Sequence, residues 1–265
     1  MRTLSILVLL AAVMVIWAGA CYALLEAGSP IPYSPRGGFS AGVGYQYSKS
    51  GWEYDGGEGL EGESLDGEDL PGDITQNYFY GQARYGFMPG WEAYLNLGAV
   101  NATVEQVIGP PDADEAVDFD GDYKIFYGAG LRGLIYGTQQ YQIGPFFQYN
   151  MYSDYKKDLT VSMGGQDFTV PVEYVDAYDM SVGLGINYPV GAAGMLYGGA
   201  FAYWSKGTAK FEMQQTMEYD VKEQGIVGGF LGLRLPLASG LQLNFEGMYR
   251  SNATASVSIN KAFGM

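Results

Sequence analysis

The residues whose types could do chemistry are few, and almost all are carboxylates and guanidiniums. The chain holds no His, so His general acid–base catalysis and His metal ligation are both excluded. Its one Cys, Cys21, cannot form an intrachain disulfide. What remains is a set of charges spaced along alternating stretches: Arg84, Glu92, Lys124, Arg132, Asp179, Arg234, Glu246 and Arg250. Each falls on the less apolar face of its stretch. Arg84, Arg132 and Arg234 stand beside short turns, so they share one level, with Glu92 close by. Charges turned into a narrow interior need partners. The expected chemistry is an internal ion-pair network, with a solute-selecting constriction as the alternative.

A second set is Asp118, Asp120 and Asp122, in Asp118-Phe119-Asp120-Gly121-Asp122. Alternate Asp around a Gly offers oxygens to a hard cation such as Ca²⁺. The later ligands of a calcium-binding loop, including its bidentate Glu, are missing. The expectation is a solvated acidic loop that gathers divalent cations loosely and holds no cofactor. The Asn-Ala-Thr triplets at Asn101 and Asn252 match a glycosylation pattern.

These charges must be positioned by strands. Leu241–Arg250 shows the pattern most plainly. Leu, Leu, Phe, Gly and Tyr alternate with Gln, Asn, Glu, Met and Arg, the period of a strand with one apolar and one polar face. Ten residues also suit a tilted strand crossing a bilayer. The pattern recurs at 39–48, 78–87, 91–104, 123–136, 141–163, 178–188, 195–212, 227–235 and 253–263. That predicts ten strands, give or take one hairpin. The turns at 88–90, 137–140, 189–194 and 236–240 are short. The other connections are longer, and two are acidic, 51–73 and 109–121. Leu241, Leu243, Phe245 and Tyr249 are expected to face lipid, and Gln242, Asn244, Glu246 and Arg250 the interior.

Composition agrees with an enclosed interior and an apolar exterior. Charged residues are only 16%, aromatics reach 15% with 23 Tyr, and Gly counts 40. The net charge of −15 argues against nucleic-acid binding. A soluble β-sandwich also alternates, but its outward face must carry charge. Here the polar face is Gly, Ser, Gln and Asn, which suits a narrow lumen. Tyr85, Phe87, Trp91, Tyr136, Tyr141 and Tyr188 flank the short turns, as an interfacial girdle would.

Residues 1–23 read as a secretory signal peptide, with Met1-Arg2, an apolar run and small residues near the end. Ala18-Gly19-Ala20 predicts cleavage before Cys21, and Cys21-Tyr22-Ala23 cleavage before Leu24. Cys21 also resembles a lipoprotein acceptor, although Ala18 stands where such signals carry Leu. Residues 24–37 hold three prolines and are expected as an extended periplasmic lead-in.

Together these features resemble the small single-chain outer-membrane β-barrel proteins of Gram-negative bacteria. The resemblance covers residues 38–265 and is one of architecture. It implies an all-β, antiparallel, up-and-down barrel in the outer membrane, meeting lipid, lipopolysaccharide and the barrel assembly machinery. Phe263 stands near the end, where this family places an aromatic, but Lys261 occupies an apolar position. Barrel enzymes of the omptin and acyl-transfer types rely on His, so no enzyme is expected. Three roles follow: a structural or small passive porin-like barrel, a surface barrel that recognises a ligand through its acidic loops, or a soluble secreted β protein. Phe245→Arg is expected to impair assembly and Asn244→Ala to be mild.

Overall fold

The computed structural model describes residues 25, 28–29, 32–55, 74–107, 116–120, 122–163, 166–212, 216–251 and 253–263. Its strands are β1 (Phe39–Ser50), β2 (Trp52–Tyr54), β3 (Ile74–Met88), β4 (Trp91–Val107), β5 (Ala116–Asp120), β6 (Lys124–Gly133), β7 (Tyr136–Gly137) and β8 (Gln142–Tyr152). They continue as β9 (Tyr155–Met163), β10 (Gln166–Pro189), β11 (Met195–Glu212), β12 (Thr216–Glu223), β13 (Val227–Pro236), β14 (Leu241–Tyr249) and β15 (Ala253–Phe263). Ten of them close into one antiparallel barrel: β1, β3, β4, β6, β8, β10, β11, β13, β14 and β15. Closure is made where β15 pairs with β1, from Phe39↔Phe263 to Tyr47↔Ala255. Every backbone group in the wall therefore has a neighbouring strand, which a bilayer requires of any spanning sheet.

The outward face carries Val43, Leu95, Leu97, Ile125, Leu184 and Leu231, all exposed. Tyr85, Phe87, Tyr136 and Tyr188 are exposed beside the short turns. An apolar band with an aromatic girdle and an even strand number is the build of a Gram-negative outer-membrane barrel. The chain is such a barrel, and its place is that membrane. Short turns mark the periplasmic end. One is Pro89-Gly90, where Gly90 takes a φ of 75° that a side chain would disfavour. Lys261, exposed near that end, reaches to within 5.7 Å of the Phe263 ring centroid. A long basic stem can cover apolar surface there and keep its charge at the interface.

The outer end is taller than the bilayer. β10 has 24 residues, β11 18 and β4 17, against the ten or so that a crossing needs. Their extensions are joined by β9 on β10, β12 on β11, β2 on β12 and β5 on β4. This forms a crown above the membrane. The first acidic connection therefore starts as strand, and the second has strand toward its end. Trp52–Tyr54 lies within the expected 51–73 loop and Ala116–Asp120 within 109–121. Two strand boundaries also differ from expectation. The fourth barrel strand ends at Gly133 rather than Tyr136, and the fifth breaks after Tyr152 before β9 begins. β10 carries a bulge between Val175 and Tyr178, with Asp176 at φ 54°. The extra residue reverses the side-chain phase, so Tyr174 opposite Ala209 and Asp179 opposite Ser205 both join the inward set.

One segment lies deeper than expected. Of the residues expected as a periplasmic lead-in, Leu25, Gly28, Ser29, Tyr33 and Ser34 are buried inside the barrel, with Leu25 and Ser29 at 1% and 0% exposure, while Pro35, Arg36 and Gly37 are exposed. Polar pull explains it. The interior offers carboxylates and guanidiniums that the backbone of this segment, the strap, can satisfy, and alternation within strands cannot reveal such partners. The signal-peptide stretch 1–23, including Cys21, lies outside the described residues, as do 56–73 and 108–115.

Candidate functional site: a filled lumen

The interior is built in four levels. At the periplasmic level Arg84, Arg132 and Arg234 converge on the ring of Tyr33. Their guanidinium carbons lie 4.2, 5.6 and 3.7 Å from its centroid. Guanidinium stacks well on aromatic faces, and the ring spaces three like charges. Glu92 answers them through a 3.3 Å ion pair with Arg132 Nε. Its other oxygen accepts the backbone N–H groups of Tyr33 and Ser34 at 2.8 and 3.0 Å. The Gly28 N–H donates to Glu246 at 2.8 Å, Ser29 Oγ donates to Asn187 at 2.8 Å, and Arg132 donates to the Ser29 carbonyl at 3.2 Å. Asn244 Nδ2 donates to the Tyr33 hydroxyl. The strap is thus fastened to β4, β6, β10 and β14 together.

Above it runs a row of amides. Arg84 and Arg132 donate to Gln82 Oε1 at 2.5 and 3.3 Å. Gln82 donates to Asn96 at 2.6 Å, Asn96 to Asn150 at 3.2 Å, and Asn150 to Asp179 at 3.0 Å. Asn96 and Asn150 are two strands apart, with Gly128 in register between them. A Cβ on Gly128 would occupy the space of the Asn150 amide, so the bridge exists because residue 128 has no side chain.

The middle of the lumen is aromatic. Phe146, Tyr197, Phe201, Tyr203, Phe230 and Met248 form one buried cluster. Several rings lie across a glycine that faces them on the next strand: Tyr94 over Gly130, Phe126 over Gly98, Phe146 over Gly183 and Tyr197 over Gly232. Each pair lets a ring lie down across the neighbouring strand rather than stand straight into the lumen.

At the outer level Arg250 pairs with Glu223, with one contact at 2.8 Å, donates to Ser205 at 3.0 Å, and stacks 4.3 Å from the Tyr203 centroid. Asp179 accepts from Asn150 and from the Tyr152 hydroxyl. The lumen charges of the sequence thus divide. Arg84, Glu92, Arg132 and Arg234 meet at the strap, with Glu246 beside them. Asp179 and Arg250 lie at the outer level. Lys124, half-buried on β6 opposite Val100, makes no ion pair among the described residues. Gly28, Ser29 and Tyr33 lie in a segment without periodicity, and the polar-then-aromatic sequence Ser29 to Tyr33 is too short to signal a lumen ligand.

Asp118 and Asp120 lie on β5, with side chains outside the described residues; Asp122 is exposed. Among the described residues no group of three potential metal ligands comes together.

No protein family and no curated protein matches the chain. Among solved structures it is similar to the outer membrane protease OmpT of Escherichia coli, at 10% identity over 85% of this chain and 97% of that one, with a TM-score of 0.49. It is also similar to the outer membrane protein OprG of Pseudomonas aeruginosa, at 12% identity over 88% and 98%, TM-score 0.47. A third is the translocator domain of the autotransporter NalP of Neisseria meningitidis, at 12% identity over 86% and 88%, TM-score 0.46.

Proposed function

We propose that this barrel is closed and non-catalytic, and that it serves the outer membrane as a structural element rather than as an open pore. The observation that carries this reading is the lumen filled at successive levels by the strap, the amide row and the aromatic cluster. An aqueous channel needs a continuous wet path, and here buried rings and paired charges take that space. Planar-bilayer recording tests it. The wild-type protein is expected to give no conductance steps, and Arg132→Ala to stay silent as well. Steady single-channel steps from the wild type would reject the closed barrel in favour of passive permeation.

A second reading, recognition at the cell surface, has one observation of its own. The crown lifts β9, β12 and the extensions of β10 and β11 well above the bilayer, on the side where the acidic connections leave the barrel. Trimming residues 56–73 without loss of a surface-binding phenotype would remove that role from the first acidic loop.

A further inference from the structure

At the outer level, between β3, β8, β10 and β11, a cavity is lined by Trp52, Tyr78, Tyr152, Tyr155, Tyr174 and Asp179, with Lys206, Glu223 and Arg250 also in its wall. Its charges are unevenly matched. Arg250 is committed to Glu223 and Ser205, and Lys206 to Asp55. Asp179 is 5% exposed, and its hydrogen-bond partners among the described residues, the Asn150 amide and the Tyr152 hydroxyl, are both neutral; the charge of Arg250 acts on it across the cavity without a direct ion pair. The Tyr174 hydroxyl is buried, lines the same cavity, and has no hydrogen-bond partner among the described residues. Its ring stands edge-on to Trp52, with centroids 6.0 Å apart, and Tyr78 stands edge-on to Tyr152 at 6.3 Å. A buried carboxylate calls for a cation. Aromatic faces attract one, most strongly where water is excluded.

We propose that this cavity receives one ammonium group, held on the Asp179 carboxylate inside the aromatic box, with the Tyr174 hydroxyl as a further polar contact. Two sources carry that chemistry. One is a small free alkylammonium entering from the outer mouth. The other is the mature chain's own α-ammonium. Leu25 belongs to the same buried cluster as Tyr78 and Tyr155, and cleavage after Ala23 would start the chain one residue before it.

The test uses mature protein purified from outer membranes in detergent, with unboiled gel mobility confirming the folded barrel. It is titrated with methylammonium chloride while Trp52 fluorescence is followed. In parallel the folded protein is acetylated near neutral pH and its N-terminal peptide is read by mass spectrometry. A free-ligand site gives saturable binding that weakens about tenfold or more in Asp179→Asn, with the terminal amine acetylated in both proteins. Capture of the chain's own terminus gives no titration in the wild type, and a terminal amine protected there but acetylated in Asp179→Asn. Should Asp179→Asn fail to fold, Tyr174→Phe carries the test through a several-fold loss of binding or of protection. Binding or protection unchanged by whichever variant folds overturns the proposal, as does the absence of both from the wild type.

Discussion

Glu92 on β4 accepts the N–H of Tyr33 at 2.8 Å, so a carboxylate of the barrel wall holds the backbone of a segment that lies outside the sheet. The same side chain pairs with Arg132, and both are essentially unexposed, at 0% and 1%. Removing one member of a buried pair leaves the other charge without its partner, which typically costs about 3–5 kcal/mol. Glu92→Ala is therefore expected to lower the temperature at which the folded band converts to the unfolded one on unboiled gels. Glu92→Gln keeps an acceptor and should fall between Glu92→Ala and the wild type. An unchanged conversion temperature in Glu92→Ala would count against the clasp.

Gly130 and Gly81 separate lumen packing from backbone freedom. A Cβ on Gly130 would collide with the Tyr94 ring, whereas one on Gly81 has its nearest neighbours at 3.9 Å. Gly130→Ala should cost about 1–3 kcal/mol through overpacking, and Gly81→Ala should be close to neutral. Equal midpoints in denaturant-induced unfolding of the two variants would contradict the ring-over-glycine account.

Phe245 and Asn244 occupy opposite faces of β14. A charge at Phe245 near the midplane costs about 2–4 kcal/mol, so Phe245→Arg should reduce folded protein in the outer membrane. Asn244→Ala, expected from the sequence to be mild, should also be costly given its contacts. Asn244 is 0% exposed and donates to the Tyr33 hydroxyl and to Ser258. Losing buried partners of this kind costs about 1–3 kcal/mol. Refolding yields and unfolding midpoints of both variants check the pair.

The crown should depend on pH and salt. Hydrogen bonds from Lys206, and next from Lys222 at 2.8 Å, hold the Asp55 carboxyl below the ordinary carboxylate range. A group with a depressed folded pKa contributes stability that is complete above its unfolded value and fades as pH falls through the folded one. The β2–β12 pairing should thus be intact at pH 6 and fray below about pH 4, with salt weakening it because these groups are partly exposed. Hydrogen exchange at β2 amides across that range reads the effect; exchange that is flat with pH would contradict it.

Much of this architecture is legible from alternation alone. A period of two, repeated with short turns at one end, fixes which residues of β14 face in and which face out, because a one-residue slip would expose every polar group to lipid. Alternation also places Arg84, Glu92, Arg132 and Arg234 inside. It cannot show the bridge from Asn96 to Asn150, which depends on Gly128 lying between them in register, nor the ring of Tyr94 over Gly130. Register is a property of pairs of strands, and one strand does not encode it. The strap is further from view. Residues 25–37 have no period, and their partners are scattered from Glu92 to Glu246. The bulge at Asp176 is hidden for a related reason, since one added residue only blurs the pattern of β10.

The strap in the lumen is the central claim, and a disulfide across it is the most direct test. Ser29 Oγ and Asn187 Oδ1 are 2.8 Å apart inside the barrel. In a chain with Cys21 replaced by Ser, Ser29→Cys and Asn187→Cys should cross-link on mild oxidation of intact outer membranes, seen as a reductant-sensitive link between the N-terminal and β10 peptides by mass spectrometry. Free thiols at both positions, readily alkylated by a membrane-impermeant reagent from the periplasmic side, would place the segment outside the barrel and contradict the account.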